Sequence, residues 1–219
     1  LFLTGDFNNW SRESHPLKRN DKYIWEIFIP GGEIEEFSKV KVHVVTGAIR
    51  RDRIPAYINM VTQDPESNDF SGVVRNLDDG FKWSDKNFDL KSINEAPLIY
   101  EAHIGLSQEY EGVGQYSEFT ELILPRIKEL GYNVIQLMAI QEHPYYGSFG
   151  YHVSNFFAPS HRFGSPKDLK KLIDTAHQMG IAVIIDLVHS HAVKNIAEGL
   201  NEFDGTDHQY FHPGGRGYH

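Results

Sequence analysis

The residues best placed to do chemistry sit at the end of one apolar run, GIAVIIDLVHSH, where Asp186, His189 and His191 follow the buried-type residues from Ile181 to Ile185. A carboxylate there could bind substrate, tune a neighbour or buffer an arginine from another strand; a structural ion pair at a strand terminus is the competing reading. His189 and His191 are two apart, and on an extended segment such residues share one face about 7 Å apart. No HExxH pattern and no third ligand at metal spacing accompanies them, so no metal centre is expected. A second polar and aromatic cluster is Gly150-Tyr151-His152, within EHPYYGSFGYHVSNFFAP. Tyr151 offers a flat face for a sugar ring and His152 a hydrogen bond, although an aromatic minicore packing a long loop would use the same residue types. His103, closing Glu101-Ala102-His103, is expected as a packed, hydrogen-bonded residue under the site. Trp10, in GDFNNW, is either a sugar platform or a core residue, and Trp25, on one strand face with Tyr23 and Ile27, is expected in the core.

The run Ile181–Asp186 is too short for a typical helix and rich in β-branched residues, which predicts a fully buried parallel strand. Two more apolar runs, Leu98–Ile104 and Asn133–Ile140, read the same way. Between them, Ser117 to Leu130 carries Phe119, Leu122, Ile123, Ile127 and Leu130 on one helical face, with Gly131 as the residue after its end. Ser165-Pro166 supplies the cap and first residue of another helix, with Leu169, Leu172, Ile173 and Ala176 as its buried stripe and Gly180 ending it. The alternation strand, helix, strand, helix, strand implies right-handed parallel crossovers. Long loops at 105–116 and 141–164 follow the strands on one face, which favours a (β/α)8 TIM barrel over a doubly wound sheet. From Leu98 the 219-residue chain holds only enough residues for the first three strands, since a whole barrel takes about 250 residues. Before it, strand-like segments run from Phe2-Leu3 into a turn at Thr4-Gly5-Asp6, over Tyr23–Ile29, over Lys39–Val44 with period two, and near Gly72–Arg75. Residues 50–97 are otherwise mixed. This predicts a β-sandwich over 1–84, a connector over 85–97 and the barrel portion over 98–219. Both ends of the chain look cut.

A net charge of −9 leaves no excess of Lys and Arg for phosphate backbones or anionic lipid, so neither nucleic acid nor membrane is an expected partner. The chain has no cysteine, which rules out a disulfide framework and a thiol nucleophile and fits a reducing compartment, the cytoplasm. No apolar run reaches the roughly 18 to 20 residues of a membrane span. Aromatic residues make up 13%, many among Gly, His and Asn, a setting that suits sugar faces.

The motifs IYEAHIG, LPRIKELGYNVIQLMAIQEHPYYGSFGYHVSNFFAPSHRFGSP, GIAVIIDLVHSHAVKN and FDGTDHQYFH together resemble the α-amylase superfamily, glycoside hydrolase family 13, and within it the eukaryote-like glucan-branching group. GDFNNW and RIPAY resemble the immunoglobulin-like family 48 carbohydrate-binding module that precedes the barrel in such proteins. The resemblance implies cleavage of α-1,4 bonds and transfer of the freed chain to a 6-hydroxyl, with an α-1,4-glucan as partner and no cofactor. It also implies roles for residues. Asp186 and His191 match the family's first conserved motif, with His191 against the sugar at the cleavage point. Tyr151 matches the tyrosine stacked on that ring, with His152 beside it, and Trp10 matches one of two glycogen-holding tryptophans; the second is not evident around Ala48-Ile49-Arg50. Ser190 stands where many amylases have a calcium-binding Asn. The nucleophilic Asp and the acid/base Glu of the family follow its fourth and fifth strands, beyond His219, so the resemblance implies no catalytic carboxylate within these residues.

Overall fold

The computed structural model describes residues 1–76, 78–93 and 96–212. Asn94 and Glu95 of the expected connector, and the last residues of the expected barrel portion, lie outside that set.

The N-terminal part is built on β4 (Lys39–Thr46), whose alternating polar and apolar residues give a half-buried strand as the period predicts. It pairs antiparallel with β1 (Phe2–Gly5), β5 (Ile49–Arg53) and β7 (Phe70–Val73), and β7 pairs with β6 (Val61–Gln63). Thr4 and Gly5 belong to β1, so the turn begins at Asp6. β5 and β6 fall in the stretch that the sequence left mixed. A separate ribbon joins β2 (Lys18–Arg19) and β3 (Trp25–Glu26).

That ribbon corrects the strand expected over Tyr23–Ile29. The Asn20 side-chain oxygen accepts from the backbone N–H of Lys22 and Ile24, both at 3.0 Å, and Tyr23 turns at φ 62°. The local Asx turn takes backbone donors that a strand would have paired. Trp25 is 45% exposed and Tyr23 74% exposed, so neither is a core residue.

The second part carries three parallel strands, β8 (Ile99–Ala102), β9 (Val134–Leu137) and β12 (Ala182–Ile185), in the spatial order β8-β9-β12. Ile135, Leu137 and Ala102 face the helices and join Tyr116, Phe119, Leu124, Ile127, Phe163, Leu172 and Ala176 in the main core. The other face presents Glu101, Gln136 and Ile184 at one level, as the register requires. Below them Val134 and Ala182 are closed off by Ile93, with Phe88 against it. β12 is not fully buried as expected: Ile184 and Ile185 are exposed, because β9 is its one strand partner among the described residues.

Between β8 and β9, α1 (Tyr116–Glu118) passes through a π-helical turn (Phe119–Ile123) into α2 (Leu124–Glu129). Pro125 has no N–H for the carbonyl of Glu121, and its ring crowds that carbonyl. The widened turn relieves both problems and inserts one residue into the helical register. The buried residues are then Phe119, Leu124 and Ile127, while Leu122 and Leu130 of the expected stripe come out exposed. α3 (Pro166–Gln178) keeps its expected limits: Ser165 Oγ accepts from the Asp168 N–H at 3.2 Å, Asp168 Oδ2 accepts from the Ser165 N–H at 2.9 Å, and Gly180 follows at φ 72°. The loop between β9 and α3 contains a hairpin that the sequence did not reveal, β10 (Gln141–Glu142) with β11 (Asn155–Pro159).

Candidate functional site

Asp186 directly follows β12, and its N–H donates to the Leu137 carbonyl at 3.0 Å, so its backbone extends the parallel ladder. Its side chain stands at the C-terminal end of the inner face. There Oδ1 accepts from Gln136 Nε2 at 2.8 Å and Oδ2 from the Tyr151 hydroxyl at 3.0 Å. Both donors are neutral. They orient the carboxylate without cancelling its charge, and no salt bridge to it is formed among the described residues. Burial, and then the hydrogen bond to Asp186, push the Tyr151 hydroxyl above its ordinary range, so it remains a donor.

Tyr151 reaches this position because Gly150 lets the chain turn at φ 87° against the end of β9. A Cβ at Gly150 would lie 1.9 Å from the Ala139 carbonyl oxygen. The loop does contain an aromatic minicore, but with other members. His103 is ringed edge-on by Tyr146, Phe149 and Phe163 at centroid distances of 6.0, 5.7 and 5.6 Å. His103 is packed as expected but not hydrogen-bonded, since neither ring nitrogen has a partner among the described residues.

The other candidates separate. His189 lies stacked on Phe156 at 5.9 Å and 7°, while His152 and His191 are both exposed. The Val193 N–H donates to the Val153 carbonyl at 3.0 Å, joining the loop after β12 to the loop that carries Tyr151 and His152. Trp10 belongs to the turn after β1, where its indole N–H donates to Asp6 Oδ1 at 3.0 Å, and it is 36% exposed. Among the described residues no three His, Asp or Glu are grouped as a metal would need, and no helix is long and apolar enough to cross a membrane.

Two residues escaped the sequence reading. Gln136 is the polar interruption of an apolar strand, and its parity with Asp186 was the signal that could have found it. Glu142 is fully buried at the root of the hairpin, where it accepts from the N–H groups of His143 and His161 at 3.0 and 2.9 Å and from Ser160 Oγ at 3.2 Å. It also pairs with His161 Nδ1 at 2.8 Å and Arg162 Nη1 at 3.5 Å. Its sequence neighbourhood gives no sign of this.

Known families match both structural parts in order. The carbohydrate-binding module 48 (isoamylase N-terminal domain) model matches residues 1–58, and the α-amylase catalytic domain model matches residues 107–214. The 1,4-α-glucan-branching enzyme of Dictyostelium discoideum is 50% identical over 100% of the chain and 33% of its own length. The 1,4-α-glucan-branching enzyme 2-2, chloroplastic/amyloplastic, of Arabidopsis thaliana is 48% identical over 99% of the chain and 28% of its own length. The chain thus spans about a third of the length of these relatives. In three dimensions, a pullulanase from Anoxybacillus sp. LM18-11, solved with maltotriose, superposes with a TM-score of 0.63 at 23% identity over 80% of the chain and 29% of that structure, a likeness of fold. The chain is thus similar in its two successive parts to the carbohydrate-binding module 48 and α-amylase catalytic-domain families and, over its whole length, to 1,4-α-glucan-branching enzymes, with about half of its residues shared.

Proposed function

We propose that this chain is part of a longer 1,4-α-glucan branching enzyme, with residues 98–219 forming one wall of its active site. The observation that carries the reading is the Gln136–Asp186–Tyr151 cluster at the C-terminal strand ends, the place where barrel enzymes keep their sites. Asp186 and His191 would bind the sugar at the cleavage point, Tyr151 would stack on it, and His152 would stand at the rim. The half-exposed indole of Trp10 would give the N-terminal module, proposed over 1–84 with a connector over 85–97, a face for a glucan chain.

The reaction follows from retaining chemistry. A carboxylate nucleophile forms a covalent glycosyl enzyme, a second carboxyl about 5 to 5.5 Å away acts as acid and then base, and the 6-hydroxyl of an acceptor attacks in place of water. Those two carboxyls would come from residues beyond this chain. The partner is an α-1,4-glucan; the net charge of −9 argues against nucleic acid and anionic membranes, and the absence of cysteine supports a reducing cytoplasm.

Product analysis tests the proposal. The full-length protein incubated with amylose should form α-1,6 branch points, and the purified 219-residue chain should form none. Free oligosaccharides without branch points from the full-length protein, or loss of iodine staining with the isolated chain, would each refute it.

A further inference from the structure

Arg53, the last residue of β5, is fully buried and forms no salt bridge among the described residues, although Glu202 and Glu198 attract its charge from farther away. Its guanidinium instead donates to three backbone carbonyls of the loop that follows β12: Nη2 to Gly199 at 2.7 Å and to Asn201 at 2.9 Å, and Nη1 to Ile196. It also lies over the Phe203 ring at 5.2 Å. Burial lowers its pKa to about 10, which leaves it charged at neutral pH. A planar fork of donors can satisfy a fan of carbonyls that a point charge cannot.

The loop that Arg53 holds is a preformed block. Asn201 Nδ2 donates to the Lys194 carbonyl at 2.7 Å, and the Gly199 N–H to Asn195 at 3.1 Å. A Cβ at Gly199 would lie 2.6 Å from Val193 Cγ2, so the block closes only around glycine. Two further groups of the N-terminal sheet hold the same loop: Arg51 Nη1 pairs with Glu202 Oε2 at 2.7 Å, and Thr46 Oγ1 donates to the Asp204 carbonyl at 2.7 Å. At its other end the block is tied through Val193 to Val153. Val193 is two residues from His191, and Val153 is two residues from Tyr151.

We infer that Arg53 is a positioning residue for the glucan site: through the block 193–201 it sets the backbone that carries His191 and registers it against the Tyr151 loop. The N-terminal module would then form part of the active-site framework, besides any glucan it holds itself. This rests on the functional reading above. Small displacements of groups around a reacting centre reduce turnover more than they reduce binding of a long substrate held along many subsites.

The test uses the full-length protein carrying Arg53→Met, with Arg53→Lys as a milder second variant and Arg12→Ala, which breaks an exposed pair with Asp52 on the same sheet, as control. For Arg53→Met the glucan-transfer kcat should fall about tenfold or more while KM for amylose changes less than about twofold. In the same variant the amides of Val193 and Gly199 should exchange roughly tenfold faster, with the core strands still protected. Arg53→Lys should lie between wild type and Arg53→Met in both measurements, and Arg12→Ala should match wild type. Wild-type kcat in a folded Arg53→Lys or Arg53→Met protein, wild-type exchange at Val193 and Gly199, or a rise in KM with kcat unchanged overturns the inference. If the wild-type protein degrades glucan without branching it, the functional reading fails instead, and kcat for that degradation, together with amide exchange, still decides the role of Arg53.

Discussion

Around the candidate site, burial fixes the protonation of two histidines. His103 has its pKa lowered, first by burial and then by the nearby His143. His143 is lowered by burial and by Arg162 and His161, against the opposing pull of the Gln141 carbonyl and Glu142. Both are therefore neutral in the folded chain at a pH where an unfolded histidine, with a pKa of about 6.5, begins to take up protons. As pH falls below that value the unfolded state binds protons first, so stability is complete above about 6.5 and is lost progressively toward the lower folded-state values. Urea midpoints should drop between pH 7.5 and 5.5, and His103→Phe, whose ring suits the surrounding aromatic cage, should flatten that slope. An unchanged slope in the variant would remove His103 from the account. Tyr151→Phe probes the neighbouring contact, since it keeps the ring and deletes the donor to Asp186. A hydrogen bond to a charged group contributes about 1.5 to 3 kcal/mol to stability, so the variant should lose up to about that much in chemical unfolding, and with the carboxylate no longer oriented the kcat of the full-length protein should fall about tenfold or more. Full activity in this variant would show that the hydroxyl does not orient the carboxylate.

At the scale of elements, the turn that delivers Tyr151 is less tolerant than Tyr151 itself. Gly150→Ala places a Cβ against the Ala139 carbonyl and asks alanine to adopt φ 87°; positive φ alone costs about 1 to 3 kcal/mol. The variant should lose at least about 2 kcal/mol in chemical unfolding, and a near-wild-type value would mean that the loop can re-form another way. Such constraints explain what the sequence could show. α3 was legible because Ser165, Pro166 and Gly180 act within a few residues of themselves, and β9 and β12 because each is a short, mostly apolar run rich in β-branched residues. The tilt of the first helix's buried face was not, because a heptad-like spacing assumes a regular helix and Pro125 adds a residue to one turn. The Tyr23–Ile29 run has strand composition, but Asn20 captures its backbone donors, a competition that propensity does not register. Asp186 and Tyr151 could be singled out separately by type, whereas their contact depends on the fold bringing residues 35 apart in sequence within 3.0 Å. Arg53 was invisible for the same reason, and its carbonyl partners lie more than 140 residues away.

For the molecule as a whole, the inner face of the three-stranded parallel sheet decides how the isolated chain behaves. Ile99, Glu101 and Ile184 are exposed on it, and Ile185 and Leu187 are exposed at and just after β12, whose outer side pairs with no strand among the described residues. An apolar strand with an unpaired edge and little charge is a template for another strand. The purified 219-residue chain should therefore associate as its concentration rises, which light scattering coupled to size exclusion would detect. Ile184→Lys should suppress that association, because a charge on an edge strand obstructs pairing and stacking. In the full-length protein the same substitution should have the opposite sign. If further strands close the barrel as proposed, Ile184 enters a packed interior, and an unpaired lysine there costs several kcal/mol, so the full-length variant should unfold at lower urea than wild type. An isolated chain that stays monomeric at every concentration would show that the exposed edge is not sticky. A full-length Ile184→Lys protein as stable as wild type would show that this face is never covered, and the closed barrel would have to be abandoned.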